Sequence, residues 1–293
     1  MAETPRQCLC FWFFKVFRII APTVVFPFSF RSAMSPTFIL VCIAIATLIT
    51  SFISGILGMA GGMILMGVLL ALLPLPAAMM LHGIAQLASN GGRAWLWRRE
   101  VNWRIFRGYA LGALVALIAF LAVQLIVSKP VAYLLLGLTP FISSAMPKQL
   151  ALNVDHRGHS FVCGVVCMGL QLLAGVAGPL LDVFFVRSRM DRRAVVATKA
   201  MSQTLSHFTK IAYFGALGAA GAADFSAGRE GIAGLSFPLI VACVLLAFTG
   251  TTLSRRVLEK ISDANFRNWT KWTVWTMGVI YLANGVWLMW GRA

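Results

Sequence analysis

An all-α polytopic membrane protein, built from two inverted-topology repeats that each open with a broken or hairpin helix followed by three transmembrane helices, is the fold this sequence predicts. Three observations predict it. The 293 residues are 59% hydrophobic and only 12% charged, more apolar surface than one water-soluble domain can hide. Apolar runs of about 20 residues, the length that crosses a hydrocarbon core of about 30 Å, recur along the whole chain. Glycine-rich interruptions and polar residues inside those runs recur at matching positions in two halves.

Residues 1–33 stand apart from this pattern. FWFFKVFRIIAPTVVFPFSFR is interrupted by Lys15, Arg18, Pro22 and Pro27, which makes a poor spanning helix and reads as an interfacial or targeting-like extension, not necessarily in the mature chain. The first repeat is expected at 34–147 and the second at 148–293. Apolar periodicity then predicts helices at about 37–58, 62–73, 76–97, 105–127, 130–146, 161–178, 180–187, 193–219, 233–254 and 269–290.

Two runs are broken in a related way, at SGILGMAGGM (residues 54–63) and at AGVAGPLLD (residues 174–182). Clustered glycines, with a proline in the second, disfavour a continuous helix. Backbone groups freed at membrane depth must face protein or a wet cavity, so a break points to a site.

Gly55 and Gly58 match Gly175 and Gly178 at an offset of 120, and the helices that follow match at an offset of 117. In the second alignment His82, Gln86, Ser89 and Arg93 share their spacing with Lys199, Gln203, Ser206 and Lys210. Steps of four, three and four keep each set on one helical face. Two such stripes with matching Gln and Ser argue for a duplicated unit.

Basic residues decide the topology. If each broken segment crosses once, WRREVNWRIFR (97–107) and RSRMDRR (187–193) fall on opposite sides, against the positive-inside rule. If each is instead a hairpin that enters and leaves by one face, these loops share a side with Lys148, Arg157, Arg255, Arg256, Lys260 and Arg267, leaving Lys129, Arg229 and Arg292 opposite. That side is the cytoplasm, and three crossings per repeat invert the second repeat relative to the first.

The half-helices after Gly58, Gly61 and Gly62, and after Gly178 to Asp182, then begin near the bilayer centre. Helix N-termini there favour anions, and the stripes add Arg93, Lys199, Lys210, His82 and His207. The expected substrate site comprises Gly58, Gly61, Gly62, His82, Gln86, Ser89, Arg93, Gly178, Asp182, Lys199, Gln203, Ser206, His207 and Lys210. Asp182 has two readings, an ion-pair partner for a stripe lysine or a proton relay that couples protons to transport. Arg93 likewise has two, substrate contact or snorkelling to the headgroups.

The break SGILGMAGGM, the following helix ending near RAWLWRREVNW, and GVAGPLLDVFF with RRAVVATKAMSQTLSHFTKIAYFG resemble the TauE/SafE family of membrane exporters over roughly residue 35 to the C-terminus. The resemblance implies secondary transport of sulfite, sulfonates and related small oxyanions across the bacterial inner membrane. Here Pro179 and Asp182 stand where the first repeat has Met59 and Gly62, which marks a subgroup with Gly-Pro-Leu-Leu-Asp in its second repeat.

Other classes are weaker. The net charge of +16 sits in loops between apolar runs, where it orients the chain, so no nucleic-acid partner is expected. No P-loop is present, and Cys42, Cys163, Cys167 and Cys243 lie in apolar runs as packing residues, while Cys8 and Cys10 lie in the extension. No cofactor and no metal are expected. DHRGH (155–159) has metal-ligand residue types but reads as a solvated loop. An intramembrane acid–base enzyme using His82, His207 and Asp182, and an anion channel, remain as alternatives to an exporter with a small anionic substrate. A homodimer is compatible with the sequence.

Overall fold

The computed structural model describes residues 35–147, 152–219, 237–258 and 263–290. The extension at 1–33 with Cys8 and Cys10, and Lys148, Arg229, Lys260 and Arg292, lie outside them. The described residues form ten α-helices and no strand: α1 Pro36–Leu57, α2 Ala60–Leu72, α3 Leu75–Leu96, α4 Trp103–Val123, α5 Lys129–Ala145, α6 His159–Ala174, α7 Gly178–Phe185, α8 Arg192–Ala219, α9 Phe237–Leu258 and α10 Asp263–Trp290. Each helix expected from the apolar pattern is present, with ends that shift by up to six residues; α10 starts earliest relative to its apolar run, at Asp263.

Local chemistry places these ends. Ser35 caps α1 by accepting from the Phe38 N–H, with Pro36 in the first turn, where a missing N–H costs nothing. Asn102 caps α4 by accepting from the Ile105 N–H at 3.2 Å. Gly58 ends α1 at φ 65° and Gly175 ends α6 at φ 81°, backbone that an L side chain resists. After each break the chain turns back: Gly61 lies against Thr50 and Ser54 of α1, and Phe184 returns to Val154 ahead of α6.

After the first reversal α2 folds back along α1, so closely that a Cβ on Gly61 would collide with the Thr50 carbonyl. All of α2 is buried. Its far end meets the start of α5, where Lys129 donates to the Leu73 carbonyl at 3.2 Å. The far end of α7 instead meets the chain just before α6, where the Val154 N–H donates to the Phe184 carbonyl at 3.2 Å. The two hairpin tips pass each other where Gly178 packs against Met59.

The most extensively packed pairs are α1 with α9, α4 with α6, α3 with α8 and α5 with α10. Replacing α1–α5 by α6–α10 in order, and the reverse, leaves this set of pairs unchanged. Within α3 and α8, Gly83 meets Ile211 and Gly91 meets Thr204, so these helices run antiparallel. So do α5 and α10, where Tyr133 meets Tyr281 and Phe141 meets Trp275.

The outer faces are apolar. Leu111, Leu114 and Ile118 on α4, and Leu245, Phe248 and Leu253 on α9, are exposed, the arrangement suited to lipid. By length and composition α1, α4 and α9 are membrane-span candidates. Helices α3 and α8 are long enough, about 33 and 42 Å at 1.5 Å per residue, but carry the polar stripes. At one end of the bundle the loops converge on Asp155: its carboxylate accepts from the Ser188 hydroxyl at 2.9 Å and the Arg189 N–H at 2.8 Å, while Arg104 donates to its carbonyl at 3.0 Å. Asp155, in DHRGH, thus ties together loops that the charge pattern assigns to one side.

Candidate functional site

Where the hairpin tips pass, α3, α6 and α8 close around a cavity of about 20 Å³. The first break contributes Ser54, Gly58, Met59 and Gly62, and the second Val176, Ala177 and Gly178. Helix α3 adds His82, Gln86, Asn90 and Arg93; α8 adds Gln203 and His207; α6 adds Gln171. Most of the wall is thus polar side chain or helix end, although the surrounding helices are built of Leu, Ala, Met and Val.

Two helices begin at this wall. Neither Met59 before α2 nor Ala177 before α7 supplies a side-chain cap. The first intrahelical donors are the Met63 and Leu181 N–H groups, so the N–H groups ahead of them lack the intrahelical partners that later turns provide. Such ends carry partial positive charge.

The side chains are held in defined orientations. His82 Nε2 donates to the Gly62 carbonyl at 2.9 Å, and Lys210 Nζ lies 2.7 Å from His82 Nδ1. Gln171 Nε2 donates to His207 Nδ1 at 3.0 Å, which puts the proton of a neutral His207 on Nε2. The two imidazoles meet edge to face with centroids 5.5 Å apart. Asn90 donates to Gln86 Oε1 at 3.2 Å, and Arg93 reaches the Ser54 carbonyl at 3.5 Å. Gln86 is 3% exposed, and its Nε2 is buried without a hydrogen-bond partner. An orphaned amide donor in a polar cavity is costly unless something there accepts from it.

Of the residues expected at the site, Gly58, Gly62, His82, Gln86, Arg93, Gly178, Gln203 and His207 line the cavity. The other six are held elsewhere. Gly61 packs on α1. Ser89 bonds Thr251 of α9 at 2.8 Å, and Ser206 bonds Tyr109 of α4 at 2.6 Å, so the matched serines join matched helix pairs. Lys199 forms an ion pair with Asp182, the pairing reading of that carboxylate. Lys210 stands behind His82 and also donates to the Gly175 carbonyl at 3.0 Å.

The sequence reading missed Ser54, Met59, Asn90, Gln171, Val176 and Ala177. Asn90 had a signal, four residues beyond Gln86 on the same face. Gln171 had one as well, a lone amide one turn before the second break. Met59, Val176 and Ala177 had none, because an apolar residue at a hairpin tip looks like any other until the tips meet.

A family model described as the sulfite exporter TauE/SafE matches residues 43–281. The chain belongs to the TauE/SafE family. No curated protein and no solved structure matches it. Membership makes this a membrane transport protein with a small anionic substrate, and the matched range spans both breaks, both stripes and every residue of the cavity wall.

Proposed function

We propose that this TauE/SafE protein exports a small oxyanion, sulfite or an organosulfonate, across the bacterial inner membrane, and that the cavity between the hairpin tips is where the anion binds. The observation that carries this reading is the Gln86 amide, buried at the cavity wall with its N–H groups unpartnered beside the uncapped starts of α2 and α7. Donors and positive helix ends that converge on one space, with no carboxylate on its wall, suit a negative oxygen. The same wall repels cations.

The mechanism proposed is alternating access by two inverted repeats, 34–147 and 148–293. Matched helices that pack antiparallel, and a set of packed pairs unchanged by exchanging the halves, support that relation. A cavity shared by both hairpin tips opens to either side when one repeat rocks against the other. The basic loops gathered near Asp155 would face the cytoplasm.

Counterflow of radiolabelled sulfite in proteoliposomes tests the site. Gln86→Leu keeps the side-chain volume and removes the donor; one lost hydrogen bond to a charged ligand should weaken flux by about 10- to 100-fold. Unchanged flux would place the anion elsewhere. Activity that persists when the vesicles are made leaky would favour an enzyme over a carrier.

A further inference from the structure

One side chain of the cavity wall, His82, and one directly behind it, Lys210, form a pair whose protons anion binding alone leaves unused. Lys210 is fully buried at 0% exposure and His82 at 1%. Their contact, Nζ to Nδ1 at 2.7 Å, sits inside a relay that runs from the Gly62 carbonyl through His82 and Lys210 to the Gly175 carbonyl. Gly62 lies in the first turn of α2 and Gly175 closes α6, so the relay bridges the two breaks.

Hydrogen counting limits what this pair can carry. The Gly62 carbonyl only accepts, so Nε2 holds a hydrogen whatever the charge of the ring. Nδ1 and Nζ then share the remaining contact. If both groups were charged, an N–H would face an N–H across 2.7 Å, so the pair holds one excess proton or none. A neutral Lys210 amine has two hydrogens, which match its two acceptors, Nδ1 and the Gly175 carbonyl. The third hydrogen of the ammonium has no acceptor. The partners of Lys210 are both neutral, an imidazole nitrogen and a carbonyl, and Asp182 of α7 is taken up by Lys199. A buried cation without a counter-charge is expensive. An anion in the cavity, which His82 lines, would supply that charge from across the imidazole ring.

We propose that His82 and Lys210 form a proton-binding site coupled to the anion site, so that one proton enters with each anion and both travel in the same direction. This deepens the transport reading and rests on it: it names the coupling ion and its seat. The proton adds to the free lone pair of the Lys210 amine, forming one N–H bond as a hydronium O–H bond breaks, and it departs by the reverse step. Linkage makes the effect mutual, since an anion that favours the charged pair must bind more tightly when the pair is charged. A monoanion then crosses without net charge movement.

The other titratable groups around the pair have partners of their own: Tyr213, one turn after Lys210, donates to the Leu125 carbonyl at 2.8 Å, and Tyr281 of α10 to the Met63 carbonyl at 2.6 Å. His207 on α8 is held by Gln171 of α6, and Tyr109 of α4 is bonded to Ser206. Asp182 of α7 and Lys199 of α8 hold each other. Cys163 and Cys167 of α6 contact one another at 3.9 Å, and Cys243 of α9 takes the Thr47 hydroxyl. Arg93 of α3 lies three turns from His82, at the Ser54 carbonyl. Helix α2 brings no titratable side chain, and Cys42 of α1 lies three turns before Ser54.

The test is calorimetric titration of the full chain in detergent with methanesulfonate, which stays ionised near neutral pH, in two buffers of different protonation enthalpy. Linked binding should take up about one proton per anion. Lys210→Met, which removes the lone pair from behind the wall, should bind methanesulfonate without proton uptake. Wild-type binding with no proton uptake would overturn the coupling and leave the transport reading standing. Uptake that persists in a folded Lys210→Met protein would overturn the assignment to this pair. If neither methanesulfonate, sulfite nor sulfate binds the wild type, the transport reading fails and the coupling fails with it.

Discussion

His82 and Lys199 hold matching positions in the two polar stripes, and the residues opposite them, Gly62 and Asp182, hold matching positions in the two breaks. In the first half of the chain an imidazole donates to a backbone carbonyl, stays buried at 1% exposure and lines the cavity. In the second a lysine meets a carboxylate, with the two side chains 22% and 45% exposed, outside the wall. Lys199, held as a cation by the carboxylate beside it, carries its counter-charge within the same half of the chain. The imidazole can be neutral, so a carbonyl suffices and the space beside it stays open. At matching positions of the two halves, one contact is a structural clasp and the other a cavity wall.

The sharpest way to break this comparison is to give the first half of the chain the carboxylate of the second. A Cβ on Gly62 would lie 3.4 Å from the Gln86 amide, so Gly62→Asp puts a tethered anion against the orphaned donor. Sulfite counterflow should fall by about 100-fold, because the internal carboxylate takes the donor and repels the substrate. Near-normal flux would mean that this donor does not meet the anion.

A smaller effect is expected at the clasp. Asp182→Asn leaves Lys199 without its counter-charge, and because both side chains are partly exposed the cost should be about 1 kcal/mol. Thermal unfolding in detergent should show it, and Asp182→Leu combined with Lys199→Met should recover much of it. If Asp182→Asn instead abolishes transport without a stability change, the carboxylate acts on substrate or proton and the clasp reading fails.

The smallest effect sharpens the equivalence itself. Ser89→Ala and Ser206→Ala each remove one interhelical hydrogen bond, to α9 and to α4, at about 0.6 kcal/mol each in a membrane bundle. Equal melting shifts support matched roles for the two serines, and a large inequality argues that the two halves differ at this position as well.

How much of this could be read beforehand differs between levels. The helices were legible because apolar length is a one-dimensional property, and the reversals at Gly58 and Gly175 were legible because glycine clusters interrupt it. The stripes were legible as faces, since helical spacing fixes which side chains align. Their partners were not. Nothing along the chain distinguishes Gln203, on the cavity, from Lys199 one turn earlier, which turns to Asp182. Gln171 was visible only as an isolated amide until α6 brought it to His207.

By itself, then, the sequence determined that the chain belongs in lipid, that glycine clusters interrupt two of its helices, and that a polar spacing recurs in its two halves, because hydropathy and helical period are local. Only the tertiary structure decided that His82 faces Gly62 and Lys210, that Lys199 closes on Asp182, and that Gln86 is left with an open donor. Those outcomes depend on what another helix places opposite each face, and a helix's own period carries no information about its neighbour.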